Sequence, residues 1–371
     1  MRIDRVTLRL VRLPLIHSFQ TSSSRKEHLD HLLVQVDSSD GITGWGECAS
    51  PADPFYCGET TETCWHIVHD FLIPIILGRE WTTIDELTGL YAKVKGNAFA
   101  RAGVEMACWD ALAREQSKPL HALLGGMRRE ILSGVSLGIE SNLNTLCERI
   151  DQFLKEGYRR IKLKIGPGRD VEVVRQIREH FPEVPLQVDA NAAYRLEDGN
   201  LLRELDAFSL ILIEQPLAYD DLMGHAHLQS MLQTPICLDE SISSAAVARQ
   251  ALELKACRVI NIKVSRLGGL LEAKRVHDLC QARSIPVWCG GMHEFGIGRA
   301  ANLAIASLPG FTIPGDVSGS DKYYRQDLVE PPILAKRGAI ALSDRPGLGV
   351  EPVLDLIRAH TLREVALTSP C

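Results

Sequence analysis

The sequence predicts a parallel α/β barrel preceded by a separate α+β unit, on three observations. Five ionisable residues, Lys164, Asp189, Glu214, Asp239 and Lys263, end successive apolar segments at intervals of 25, 25, 25 and 24 residues. A strand, a helix and two loops use about 25 residues, so this period sets consecutive strand ends side by side in a parallel barrel. Each charged residue is also in phase with one face of its strand, because strand side chains alternate. Residues 1–125 lack this period and carry alternating segments near residues 3–13 and 32–36 instead.

In chain order, residues 1–125 read as a strand meander closed by a turn at 41–45, followed by helices between about residues 60 and 114. The polar stretch 18–30 and the Pro-, Gly- and Ser/Thr-rich stretch 50–61 read as irregular loops. Loops of that length are often lids, so the surroundings of Phe19 and Tyr56 are lid candidates. Residues 126–325 are expected to form the barrel, with eight strands near Val135, Ile161, Val188, Ile211, Leu238, Ile260, Val287 and Ile313. Amphipathic helices fall between them; in residues 269–283, Leu271, Val276, Leu279 and Cys280 share one face. Residues 326–371 are expected to pack back on the N-terminal unit through a short strand at 340–342 and a helix at 353–359. Pro331, Pro332, Pro346 and Pro352 disfavour a longer regular element there.

The phase argument covers five strands. Ile161, Leu163 and Ile165 face covering helices while Lys162 and Lys164 face the other way. Leu186 and Val188 frame Asp189, Ile211 and Ile213 frame Glu214, and Ile236 and Leu238 frame Asp239. Ile260, Ile262 and Val264 frame Asn261 and Lys263. Any one of these charges could be a satisfied ion pair. Five in register at strand C-terminal ends, where barrel enzymes keep their chemistry, point to a site. Three carboxylates in succession offer an oxygen-rich pocket to a hard divalent cation, and a lysine on either side offers two candidate bases.

Composition narrows the class. The chain of 371 residues is 45% hydrophobic and 24% charged, with net charge −6. A mild acidic excess without a basic patch argues against nucleic-acid binding. The start, MRIDRVTLRLVRLPL, has charges threaded through it and reads as a strand, not a signal peptide. The apolar run at 71–77 falls far below the roughly 18 residues a membrane span needs. A cytoplasmic location without membrane or nucleic-acid partners is the expectation. The ten cysteines include no CxxC pair and read as reduced core residues. The glycines at 166 and 168 follow a strand but lack the third glycine of a dinucleotide fingerprint. His293, in GGMHEFGIG, could be a base, but strand six supplies Lys263 and no acid to orient it. Glu294 and Glu240 are expected to hold hydrogen bonds behind the site.

The motifs KLK (Lys162, Lys164), VDAN (Asp189, Asn191), IEQP (Glu214), LDES (Asp239, Glu240) and NIKVSRLGG (Lys263) resemble the enolase superfamily, within it the muconate-lactonising-enzyme subgroup. WCGGMHEFGIGRAAN and FTIPGDVSGSDKYY are similar to its N-succinylamino acid racemase/o-succinylbenzoate synthase family. The resemblance covers essentially the whole chain and implies a modified TIM barrel, (β/α)7β, under an α+β capping domain that lends two loops to the site. It implies Mg2+, with Mn2+ as the substitute, held by Asp189, Glu214 and Asp239, and Lys164 and Lys263 as catalytic residues. It implies a small-molecule carboxylate as substrate, met by Lys162, Asn191, Ser136, Gly291 and Met292, and a symmetric homo-oligomer.

Such a site removes a proton α to a carboxylate to give an enediolate. Lys162 is expected to lower the pKa of Lys164, and Arg266 to favour the neutral form of Lys263. Two outcomes share these residues: syn dehydration to o-succinylbenzoate in menaquinone synthesis, and racemisation of N-succinylamino acids. Muconate cycloisomerisation and dipeptide epimerisation are the alternatives. Dipeptide epimerases carry a DxD after strand eight, whereas here Asp316 is followed by Val317 and Ser318. A non-catalytic binding barrel is the alternative of another class, and it would have lost a ligand or a lysine.

Overall fold

The computed structural model describes residues 1–20, 25–138, 140 and 142–369, without the side chains of Phe19, Gln20 and Arg25. The lid expected around Phe19 therefore lies outside the described side chains. Strands β1 (Ile3–Gln20), β2 (Arg25–Ser38) and β3 (Thr43–Cys48) form an antiparallel meander. Residues 25–30, expected to be irregular, continue β2 as a ribbon against β1, with Leu29 opposite Leu13 and Asp30 opposite Arg12. Their polarity suits this ribbon: Glu27 and His28 are exposed, and Arg12 donates to Asp30 at 2.6–2.7 Å. Ile3, Val6, Leu8, Leu32, Val34 and Val36 bury one face of the sheet in a core shared with helix α1 (Ala98–Glu115).

Seven parallel strands follow, hydrogen-bonded in chain order: β4 (Val135–Leu137), β5 (Ile161–Lys164), β6 (Leu186–Asp189), β7 (Ile213–Glu214), β8 (Ile236–Leu238), β9 (Val259–Ile262) and β10 (Val287–Cys289). The eighth strand expected near Ile313 is reduced to two isolated bridges, Val287 with Phe311 and Ser133 with Gly315. Pro314 lacks an N–H and interrupts a ladder there. The segment still closes the ring. Thr312 N donates to Val287 O at 3.2 Å and Asp316 N to Cys289 O at 2.8 Å, while Gly315 O accepts from Gly134 N at 2.7 Å.

The two strand faces separate as alternation requires. Ile161, Leu163, Val188, Ile213, Leu238 and Ile262 join the large core beneath the outer helices. Leu212, Cys237, Val259 and Trp288 form a small cluster of their own, with Ile211 and Ile313 packed against it. Ile211 thus departs from the expected phase, because regular pairing in β7 begins only at Ile213. Trp288 donates its indole N–H to Cys237 Sγ at 3.3 Å, and the Lys162 ammonium stands 4.8 Å from its ring centre.

Strand β11 (Thr361–Thr368) returns to the first sheet and pairs antiparallel with β1, Arg5 opposite Thr368. Nine described cysteines are free thiols. Among the described residues no helix is long and apolar enough to cross a membrane. Trp288→Ala removes the largest member of the inner cluster and is expected to cost about 3–5 kcal/mol of stability. A urea titration shows this as a lowered midpoint; an unchanged midpoint would mean that the barrel floor is not packed.

Candidate active site

Strand register assembles the site. Lys164 lies opposite Asp189 and Asp189 opposite Glu214 as direct Cα partners. Cys237 lies opposite Glu214, so Asp239 projects two residues further along. Lys263 follows the end of β9 and caps the one-turn helix α2 (Val264–Leu267). In the sheet order the strands of the two lysines flank the three carboxylate strands, and both lysines line one cavity. Gly290 makes room for them: a Cβ there would stand 2.4 Å from Asn261 Oδ1 and 2.8 Å from Lys263 Cε.

Asp189, Glu214 and Asp239 are almost wholly buried, and cations stand among them. Lys162 Nζ is 3.0 Å from Glu214 Oε2, 3.3 Å from Asp189 Oδ2 and 2.6 Å from Asp316 Oδ2. Lys164 Nζ is 2.6 Å from Asp189 Oδ2 and also bonds Asn191 Oδ1. Lys263 Nζ is 2.8 Å from Asp239 Oδ2, whose other oxygen pairs with Arg266. Asn261 Nδ2 donates to Glu214 Oε1 at 2.8 Å, and Asn191 Nδ2 to Glu240 Oε1 at 2.9 Å.

Burial weighs on every charge in this cluster. Burial, then Asp189, push the Glu214 carboxyl well above the usual carboxylate range in spite of Lys162. Burial, then Asp239, lift Glu240 to about 7. Burial works against the Lys162 ammonium, but Asp316, Glu214 and Asp189 outweigh it and hold the amine well above its ordinary value. Lys162 is thus the counter-ion of three carboxylates. Burial likewise opposes charge on Lys263, yet Asp239 prevails and raises it. Arg266 acts in the expected direction but is spent mainly on Asp239, so the expected net lowering of Lys263 is not found.

A cavity of about 1270 Å³ opens over this cluster, lined by Lys162, Lys164, Asp189, Asn191, Glu240 and Lys263, and by Ser136, Gly291 and Met292 on its walls. Glu214 and Asp239 lie behind that lining. Among the described residues no group of His, Cys, Asp or Glu is drawn together with the spacing of a metal site, because lysine amines occupy the space between the carboxylates. The donor set nonetheless suits a hard cation: Asp189, Glu214 and Asp239 present only oxygen atoms and are buried together at adjoining strand ends. Ser136 Oγ finds no hydrogen-bond partner among the described residues. Ser136 is the centre of a GxSxG pentapeptide at 134–138, but it sits within β4 and not on a strand-to-helix turn, so it is no nucleophile elbow. His293 reaches the cavity wall with φ 62°. Glu294 accepts from Met292 N at 2.9 Å and from Asn302 at 2.8 Å, bracing that loop and not the carboxylates.

Two members of the site were missed. Asp316, considered only for its neighbours in sequence, holds Lys162 and accepts from Arg160 at 2.6 Å. Its place just past the eighth strand position was the available signal. Tyr56, read as part of a lid candidate, reaches the interior: its hydroxyl accepts from Lys263 at 3.2 Å and donates to Asp239 Oδ1 at 3.4 Å. The Lys263 ammonium lies 5.0 Å from its ring centre.

A barrel carrying this lysine and carboxylate order beneath an antiparallel cap defines a class, and comparison with known proteins agrees. The chain belongs to the enolase superfamily: residues 145–356 match the enolase C-terminal domain-like family, and residues 5–125 match the N-terminal domain of mandelate racemase / muconate lactonizing enzyme. Within it the chain is an enzyme of the o-succinylbenzoate synthase and N-succinylamino acid racemase branch. It is 46% identical to o-succinylbenzoate synthase of Bacillus subtilis, over 97% of each chain. It is 47% identical to N-succinylamino acid racemase of an Amycolatopsis species, over 100% of each. The crystal structure of an enolase-superfamily protein from Listeria innocua superposes with a TM-score of 0.97 at 36% identity, over 100% of both chains.

The Tyr56 hydroxyl touches both a lysine and its carboxylate. Tyr56→Phe is expected to lower turnover by about tenfold, the worth of one hydrogen bond to a charged group. Tyr56→Ala, which also removes the ring, should raise KM in steady-state assays; wild-type kinetics in both variants would place the loop off the reaction path.

Proposed function

We propose that this enzyme removes the proton α to the carboxylate of a small succinyl-bearing acid, serving both o-succinylbenzoate synthesis and the racemisation of N-succinylamino acids. The observation that carries the reading is the pair of lysines on strands flanking three carboxylate strands. Relatives bearing the two names at 46% and 47% identity support both outcomes equally. The reading keeps residues 1–125 as the cap, 126–325 as the catalytic barrel and 326–371 as a segment returning to the cap.

Asp189, Glu214 and Asp239 would hold Mg2+, or Mn2+ in its place. That ion, when bound, offsets the negative charge that builds on the substrate carboxylate as the proton leaves. Asp189 and Asp239 would then be shared between the ion and the lysines, which weakens their hold on Lys164 and Lys263. Without that hold, burial works against the charge on Lys263 and the nearby Arg266 adds to it, favouring the neutral amine a base must be. In racemisation Lys164 and Lys263 alternate as base and acid on opposite faces of the α-carbon. In dehydration Lys164 takes the proton and returns it to the departing hydroxide on the same face, while Lys263 remains a cation beside the charge. Lys162, tied to Asp316, meets the substrate carboxylate, and Asn191 holds Lys164 in place. Ser136, Gly291 and Met292 shape the wall.

Lys263→Ala is expected to abolish α-proton exchange for one enantiomer of an N-succinylamino acid and spare the other. Normal exchange of both, followed by deuterium NMR, sinks the two-base reading. Asp239→Asn should reduce both activities by at least about a hundredfold, and chelation of the wild type should do the same until Mg2+ is restored. Full activity in chelator contradicts the metal assignment.

A further inference from the structure

A few residues beyond Lys263 in the chain, the barrel is held by a buried carboxylate of the cap. Glu105 of α1 is 1% exposed. Its Oε2 accepts from Leu270 N at 2.5 Å, and its Oε1 from Leu271 N at 2.8 Å and from Trp109 Nε1 at 3.1 Å. Leu270 and Leu271 open helix α3 (Leu270–Gln281), so the carboxylate grips the first two N–H groups of a barrel helix from outside the barrel. The chain between is shaped around it. A Cβ on Gly269, at φ 137°, would fall 1.9 Å from Glu105 Oε2. Burial pushes the Glu105 carboxyl up to about 7, so keeping an acid at this spot is costly.

What lies between this grip and the site is short and tied by its own hydrogen bonds. Lys263 is the residue on which α2 begins; Leu267 N donates to Lys263 O at 3.1 Å and Gly269 N to Val264 O at 3.0 Å. Every residue of α2 is buried. Arg266 ties its other side to the barrel by donating to Ile242 O at 2.8 Å and Asn261 O at 2.6 Å. A shift of Leu270 therefore has little slack to absorb it before it reaches the Lys263 backbone.

We propose that Glu105 is a positioning residue for Lys263, setting from the cap the direction in which that amine meets the substrate. The proposal rests on the reading above, in which Lys263 serves one face of the α-carbon. The test follows α-proton exchange in D2O for the two enantiomers of N-succinylphenylalanine, with Mg2+, in the full-length wild type, K263A, E105Q and W109F. K263A identifies the enantiomer served by Lys263. E105Q, which can serve only one of the two helix N–H groups, is expected to slow that enantiomer by about tenfold or more with KM within about twofold, and to leave the other enantiomer within about twofold. W109F removes one hydrogen bond to Glu105 and should give a smaller loss, about threefold, on the same enantiomer. If thermal unfolding shows that E105Q does not fold, W109F decides alone. Equal losses on both enantiomers, or none, in the folded variant overturn the role of Glu105. A K263A enzyme that affects neither enantiomer, or both alike, overturns the two-base reading instead, and the Glu105 proposal falls with it.

Discussion

Everything at the mouth of this barrel answers to one constraint: parallel strands in register bring like charges together. Because Asp189 and Glu214 are direct cross-strand partners and Asp239 ends the next strand two residues further along, three buried acids crowd one end of the barrel. An unpaired buried carboxylate costs several kcal/mol, so the surroundings must supply positive charge and N–H groups. Lys162, Lys164, Lys263, Arg266 and Asn261 are that supply. In the proposed reaction a bound cation would share the carboxylates with the lysines, and the lysines would then serve as bases.

The comb of charged strand ends was legible because period and phase are local properties of a strand: a side chain's face is set by its neighbours in sequence. What the lysines touch was not, since ion-pair partners come from elsewhere in the fold. Asp316 lies past a strand that survives only as two bridges, and Tyr56 comes from a loop of the other domain. Lys162 likewise is engaged by Asp316 and Glu214, neither of them near it in sequence. The return strand was missed for a different reason. TLREVALT alternates plainly, but the prolines before it argued against a long regular element in this tail, and Pro352 is the last of them before the strand.

The cap is therefore more than a cover. Glu47 of β3 accepts from Phe295 N at 2.9 Å and Gly298 N at 2.7 Å, at the start of helix α4 (Gly296–Ala306), and pairs with His31 at 2.6 Å. Glu105 does the corresponding work on α3. Two buried acids of the N-terminal domain thus terminate the barrel helices that follow strands six and seven. The sequence between those helices and their strands contains Lys263, Arg266, Gly291 and Met292, so the geometry of the reacting end is shared property of both domains.

The pairing of β11 with β1 has a bearing on how the molecule comes into being. Residue 5 meets residue 368, with the whole barrel threaded between them. On a ribosome the first strand emerges early and must wait, with one edge uncovered, until the barrel has been made. Vectorial synthesis thus leaves that edge open to mispairing while the barrel is built, and it makes completion of the first sheet a step that can only follow the barrel.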